Sequence, residues 1–265
     1  MHTNNLYHHG IKGQKWGIRR FQNKDGTLTS AGAVRYAVES RKQIIINSDG
    51  SKTIPKGFKF NRVGKRAIDV NKSGGLYVSY GVDDASRYVK LLGPTPINNL
   101  LKRAGEAVQH ISVNAPIRMP SDEETSNEMV NFLRENKDIL SNFNKSFYAY
   151  FAIGRFITEA DLDRALENPT GKLAKKISYS VSAALADEKF ANDAKILYDR
   201  FRGKGFDAIL DYQDRMSGTS NTALIIINPE KVKVASSTVI TKDIMRNAKK
   251  YVRSLEKLKI SDILT

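Results

Sequence analysis

The sequence has no cysteine, only seven prolines and a single tryptophan in 265 residues. Without cysteine, neither a disulfide framework nor a thiolate metal site can form. The longest purely apolar runs, such as residues 223–227, are far shorter than the roughly 20 residues that span a bilayer. The N-terminus also lacks the apolar stretch of a secretion signal. We therefore expect neither a secretion signal nor a membrane-spanning helix, and we expect a reducing compartment.

The composition is that of a folded protein. Hydrophobic residues make up 40% of the chain and charged residues 27%, so the chain can bury a sizeable core. We predict a basic N-terminal arm and helix over residues 1–42, a main domain over 43–240 and a basic C-terminal helix over 241–265.

The N-terminal segment from Tyr7 to Phe21 has neither helical nor strand periodicity. It contains glycines that permit close backbone approach, together with the only tryptophan and several cations. A solvated linker would not carry apolar anchors such as Trp16. We predict that this segment docks on a partner through Trp16, Arg19 and Arg20.

The same segment resembles a leader found on proteins encoded in the virion-structure regions of tailed phages and prophages of Gram-positive bacteria. The likeness covers residues 7–32, with the string Tyr-His-His-Gly-Ile-Lys-Gly-Gln-Lys-Trp-Gly-Ile-Arg-Arg and then Asn-Lys-Asp-Gly-Thr-Leu-Thr-Ser-Ala-Gly. The resemblance implies a virion-associated protein, located in the virion or the host bacterial cytoplasm, with a capsid or other virion protein as the partner of the arm.

Positive charge is concentrated at the two ends of the chain. The formal net charge is +15. Residues 1–42 carry eight cations and two carboxylates, and residues 231–260 carry nine cations and two carboxylates. Such ends attract polyanions, and we expect non-specific DNA binding as one outcome and a merely solubilising surface as the other. We expect no membrane partner.

The order of predicted elements indicates an α+β fold. Strand patterns occupy the segment before residue 120, helical patterns occupy about 121–202, and strands return at 206–210 and 223–227 before a final helix from Thr241. A doubly wound sheet would need regular alternation of strands and helices. We therefore predict a split mixed or antiparallel sheet with a helical insert and a C-terminal helix.

Four segments resemble the split-sheet core of the ADP-ribosyltransferase superfamily. They are residues 59–64, residues 76–80, the string Gly205-Phe206-Asp207-Ala208-Ile209-Leu210-Asp211, and residues 223–234. The resemblance implies NAD as substrate, with Arg62 on the first strand and Ser79 on the second, flanked by Tyr77 and Tyr80, as residues that bind it. A cation is needed beside the pyrophosphate or ribose, and a carboxylate beside the carbon where positive charge develops.

The chain departs from that superfamily at the catalytic glutamate. The position before the late strand holds Ser220-Asn221-Thr222, and the nearest carboxylates in the sequence are Asp211 and Asp214. Either the acid is lost or another carboxylate replaces it, and these two aspartates are then the candidate catalytic residues.

Simpler interpretations exist for the same residues. A lone arginine such as Arg62 is commonly an exposed strand residue, Ser79 can be a small residue that permits packing, and Asp211 and Asp214 can serve a turn. Adjacent histidines at 8 and 9 point to opposite faces of an extended chain, so we expect no metal.

Two functions follow as expectations. The first is a phage-encoded, virion-associated protein with ADP-ribosyltransferase or NAD glycohydrolase activity on NAD and a host macromolecule. The second is a non-catalytic structural protein of the phage particle that binds DNA or the capsid through its basic ends.

Overall fold

A computed structural model describes residues 43–65, 72–81, 84–100 and 104–255. The predicted docking residues Trp16, Arg19 and Arg20 lie outside this part of the chain, as does the end of the predicted C-terminal helix beyond residue 255. Within it the chain is α+β, as predicted, and every strand pair is antiparallel.

The strands form two sheets. The strands are β1 (Ile45–Ile46), β2 (Lys52–Ile54), β3 (Lys59–Gly64), β4 (Leu76–Ser79), β5 (Ala107–Val113), β6 (Ile117–Met119), β7 (Ala208–Leu210), β8 (Ala223–Ile226) and β9 (Val232–Val239). The small sheet has the order β1-β2-β6, and the large sheet has the order β7-β8-β4-β3-β5-β9. Strands β1 and β2 pair as an antiparallel hairpin.

The helices fall mainly between the two groups of strands. They are α1 (Asp84–Leu92), α2 (Pro96–Leu100), α3 (Asp122–Glu135), α4 (Lys137–Asn144), α5 (Phe147–Ile153), α6 (Glu159–Glu167), α7 (Lys172–Leu185), α8 (Ala191–Gly203), α9 (Tyr212–Met216) and α10 (Lys242–Leu255). Helices α3 to α8 fall in the segment predicted to be helical. Their side chains share one buried core with strands of both sheets.

Helix starts follow local capping chemistry. Ser121 Oγ accepts a hydrogen bond of 3.0 Å from the Glu124 amide at the start of α3. Thr158 and Asp161 form a reciprocal capping box at the start of α6. Each cap satisfies backbone N–H groups that the first turn leaves unpaired.

Asp207 joins the two sheets. Its buried carboxylate accepts hydrogen bonds from the Arg118 amide at 2.9 Å, from Asn228 Nδ2 at 2.6 Å and from Lys231 Nζ at 2.7 Å. The Arg118 guanidinium lies 4.9 Å from the centre of the Phe206 ring, within cation–π range. The aspartate and aromatic residue of the Gly-Phe-Asp string thus hold β6 against the start of β7.

A second, smaller core lies beside β3 and β5. Val89 of α1 packs with Ile240, Met245 and Ala248 of the C-terminal segment, and Val63 and Val108 lie against them. Helix α10 therefore rests on α1 through its apolar side. Met245, Ala248 and Val252 of α10 are buried.

Candidate functional site

The large sheet opens between β3 and β4. Within the described residues, the ladder joining these strands is the single pair Asn61↔Ser79, whereas β3 and β5 pair along six positions. A cavity of about 180 Å³ lies beside this opening. Its lining residues are Asn61, Arg62, Val63, Tyr77, Val78, Tyr88, Leu92, Asp211 and Asp214. The structure thus brings four of the predicted site residues to one cavity: Arg62, Tyr77, Asp211 and Asp214.

Arg62 lies on the β3 side of this cavity. Its Nη1 donates a hydrogen bond of 2.8 Å to Oε1 of the buried Gln109 on β5. The guanidinium folds over Gly64, where a Cβ atom would lie only 2.5 Å from Nη1. Glycine at this position therefore leaves room for the cation beside the strand.

Tyr77 contributes a buried hydroxyl from β4. Its Oη has almost no solvent exposure and makes no hydrogen bond of ordinary geometry, although the Tyr198 hydroxyl lies close by. Burial, followed by the proximity of Tyr198 and Asp211, raises the pKa of Tyr77 well above its usual value. The phenol therefore stays neutral at physiological pH.

Asp211 and Asp214 form the acidic wall. Asp211 is 2% exposed and caps α9, where its Oδ1 accepts a hydrogen bond of 3.3 Å from the Asp214 amide. Burial first, and then the charge of Asp214, raises the pKa of Asp211 to about 7. Burial also raises the pKa of Asp214, although a hydrogen bond from the Tyr88 hydroxyl opposes that shift. Two carboxylates so placed resist being ionised together.

A third carboxylate, that of Asp84, lies against the Ser220-Asn221-Thr222 segment before β8. Asp84, the first residue of α1, accepts hydrogen bonds at Oδ2 from Ser220 Oγ at 2.5 Å and from Thr222 Oγ1 at 2.6 Å. The Gly81 amide also donates to this oxygen, at 3.2 Å. The Ser-Asn-Thr segment before β8 therefore carries no acid of its own but holds one supplied by α1. Asp84 also contributes to the raised pKa of Asp214, so its charge acts on the acidic wall.

Two predicted residues do not line the cavity. Ser79 is completely buried, and its Oγ has no hydrogen-bond partner among the described residues. Tyr80 packs edge-on against Phe58, with ring centres 5.7 Å apart. Side chains alternate along a strand, so Tyr80 projects from the face opposite Tyr77 and Ser79.

Sequence reasoning missed three residues of this region: Asn61, Tyr88 and Asp84. Asn61 bonds to the Gly81 carbonyl and to His110, and Tyr88 bonds to Asp214. The spacing of Tyr88 and Leu92, one helical turn apart, was the available signal that both face one side of α1.

The arrangement favours opposite charges at its two ends. The Arg62 guanidinium can pair with an anionic oxygen. At the other end, Asp84 and whichever of Asp211 and Asp214 is ionised create a negative field that stabilises a positive centre. Tyr77, Tyr88 and Leu92 supply aromatic and aliphatic walls between these ends. A ligand with a cationic ring and a nearby phosphate matches both charges.

Comparison with models of protein families, with curated proteins and with solved structures gave no match. Across the described ranges, no helix is both long and apolar enough to cross a membrane. In the same ranges, no group of three or more His, Asp or Glu side chains is arranged to hold a metal ion.

Proposed function

We propose that the chain binds NAD at the opening between β3 and β4 and acts as an ADP-ribosyltransferase or NAD glycohydrolase. The observation that carries this proposal is the convergence of Arg62, Tyr77, Asp211 and Asp214 on one cavity. These residues come from segments far apart in the sequence, and they were singled out from the sequence for this chemistry.

The cavity volume limits what it can enclose. At about 180 Å³ it is smaller than the roughly 300–1,000 Å³ of ordinary ligand pockets. We propose that only the positively charged nicotinamide ring enters it, against the aspartates, while the phosphates remain outside near Arg62.

The proposed chemistry breaks the bond between the nicotinamide nitrogen and C1′ of the ribose. Nicotinamide leaves with the bonding electrons, positive charge develops at the ribose, and an acceptor or water attacks C1′ and loses a proton. Asp84, together with whichever of Asp211 and Asp214 is ionised, supplies the negative field that such a centre requires. We assign Asp84 the position of the missing glutamate, because Ser220 and Thr222 direct their hydroxyls to it.

The setting of this activity follows from the N-terminal segment. We propose that residues 7–32 attach the protein to a phage particle through Trp16, Arg19 and Arg20, and that the target is a macromolecule of the host bacterium.

A second function is favoured by a different observation. Asp211 caps α9, and Asp84 already accepts three hydrogen bonds. Carboxylates with structural partners also suit a non-catalytic structural protein of the particle that keeps the fold and uses its basic ends to touch DNA or the capsid.

The test is to measure NAD binding and nicotinamide release with the full chain and its Arg62→Gln variant. Loss of a charge-assisted hydrogen bond costs about 1.5–3 kcal/mol, so NAD affinity should fall about 10- to 150-fold. Lys59→Gln is the matched control, because Lys59 is an exposed cation on the same strand that does not line the cavity.

Calorimetry and circular dichroism distinguish the outcomes. Weaker binding in the Arg62 variant, with unchanged folding and an unaffected Lys59 variant, supports the proposal. If the unmodified chain neither binds NAD nor releases nicotinamide, the proposal is rejected in favour of the structural function.

A further inference from the structure

A broad groove runs along the C-terminal helix, on the other side of α1 from the residues that line the cavity. It lies between α10 and the segment of residues 94–99, and its volume is about 1030 Å³. Ile240 and Met245 supply apolar contacts within it. Five cations line it: Lys242, Arg246, Lys249, Lys250 and Arg253.

Among the described residues that line this cationic groove, none is a carboxylate. Neighbouring Asp243 forms an ion pair with Arg246. Within the described ranges, the other four cations make no ion pair, and all are exposed. Like charges one helical turn apart repel each other, so an anion bound in the groove would relieve this repulsion.

The spacing of the cations is linear. Lys242, Arg246, Lys249 and Arg253 follow one another at intervals of three or four residues and therefore share one face of the helix. At 1.5 Å per residue, the row extends for about 16 Å. This length corresponds to about five base-pair steps of 3.4 Å in duplex DNA.

The surroundings favour phosphates of a nucleic acid over a membrane surface. A membrane-bound amphipathic helix inserts its apolar side into the lipid, but the apolar side of α10 is covered by α1 through Val89. None of the described lining residues is aromatic, so they offer no surface on which unpaired bases stack. Contact with the backbone of a duplex remains the best match.

We propose that the groove along α10 binds the phosphate backbone of duplex nucleic acid without sequence preference. This inference is independent of the NAD proposal, because none of its residues lines the cavity. The sequence predicted only that the basic ends of the chain attract polyanions, whereas this proposal assigns the binding to the groove along α10.

The test compares the full chain with a Lys249→Gln/Lys250→Gln/Arg253→Gln variant. Binding to a fluorescent 20-base-pair duplex is measured by anisotropy between 50 and 200 mM salt. Each phosphate contact contributes about −0.9 to the slope of log K against log salt, so the variant slope should be shallower by about 2.7. Over this range the unmodified chain should lose about 40-fold more affinity than the variant.

A matched control removes three other exposed lysines. Lys172, Lys175 and Lys195 lie on α7 and α8, outside the groove. Their replacement by glutamine changes the net charge by the same amount and should leave the slope within about 1 of that of the unmodified chain.

Two duplexes of unrelated sequence should give the same affinities and slopes. The proposal is overturned if the groove variant and the control variant show equal slopes, since net charge alone would then explain binding. It is also overturned if the unmodified chain does not bind duplex, or if the groove variant loses only its binding to phosphatidylserine-containing vesicles.

Discussion

Asp84 shows how a single residue can have both a structural and a chemical consequence. Gly81 has no Cβ, and a Cβ there would lie 2.5 Å from the Asp84 carboxylate. The acid therefore sits close to the backbone at the end of β4 while Ser220 and Thr222 donate to it from the segment before β8. It ties the beginning of α1 to both strands and adds negative charge to the region of the cavity.

Asp211 should make stability depend on pH near neutrality. Its pKa is raised in the folded state, to about 7, so the folded protein holds a proton that the unfolded chain releases near pH 4. Stability should therefore fall as pH rises from about 4 to 7 and then level off.

The Asp211→Asn variant should weaken this pH dependence, leaving the part due to Asp214, whose pKa is also raised by burial. It should still cap α9, since its amide oxygen can accept the same hydrogen bond. At about 1.4 kcal/mol per pKa unit, the variant should gain on the order of 2–3 kcal/mol relative to the unmodified chain between pH 5 and 8. Urea unfolding at both pH values measures this change. Asp138→Asn, at an exposed position on α4, is the control; an identical pH dependence in all three proteins would contradict the assignment.

At the scale of elements, α6 depends on a buried acid at its start. Asp161 is 0% exposed and accepts hydrogen bonds from Thr158, from Arg155 at 2.5 and 2.7 Å and from Arg164 at 2.5 Å. The hydrogen bond from Arg155 is the main reason that the pKa of Asp161 lies well below its usual range. A lowered pKa means that this stabilisation is present at neutral pH and is lost only in strong acid.

Asp161→Ala should lower the free energy of unfolding by about 2–3 kcal/mol at pH 7, because it removes both a cap and charge-assisted hydrogen bonds. Asp163→Ala is the matched change on the same helix, where an exposed pair with Arg134 contributes about 1 kcal/mol or less. Chemical unfolding of both variants measures the difference. Equal losses of unfolding free energy in the two variants would show that the buried Asp161 contributes no more than the exposed Asp163.

Helix starts have a local signal in the sequence, since Ser121 and Thr158 act through neighbours three residues away. Strand β9 was missed as a separate element because most of its residues are exposed and its pattern is weakly alternating. Its place at the edge of the sheet comes from pairing with β5, more than 100 residues earlier. Such a pairing has no local signal.

Prediction of the candidate site had a similar limit. The strand positions of Arg62 and Tyr77, and the turn position of Asp211, were visible locally, and these residues meet at the cavity. The period of two along β4 already separated Tyr77 from Tyr80. The bonds that Asp84 accepts from Ser220 and Thr222 join residues about 136 positions apart, and they required the fold.

At the scale of the whole molecule, α1 stands between two charged surfaces. Tyr88 and Leu92 face the cavity with its acidic wall, while Val89 packs against α10, which carries the cationic groove. NAD, the proposed ligand, carries phosphates, so the proposed phosphate-binding groove would compete with the cavity for it. Where NAD contacts the chain, if it binds as proposed, is therefore the central question.

Amide chemical-shift mapping of the full chain during titration with NAD answers that question most directly. The account predicts the largest changes at residues 61–63, 77–81 and 211–214, with smaller changes along α1, and nicotinamide alone should affect the same residues. Changes confined to residues 242–253 and reproduced by inorganic pyrophosphate, or no change at the opening between β3 and β4, would contradict it.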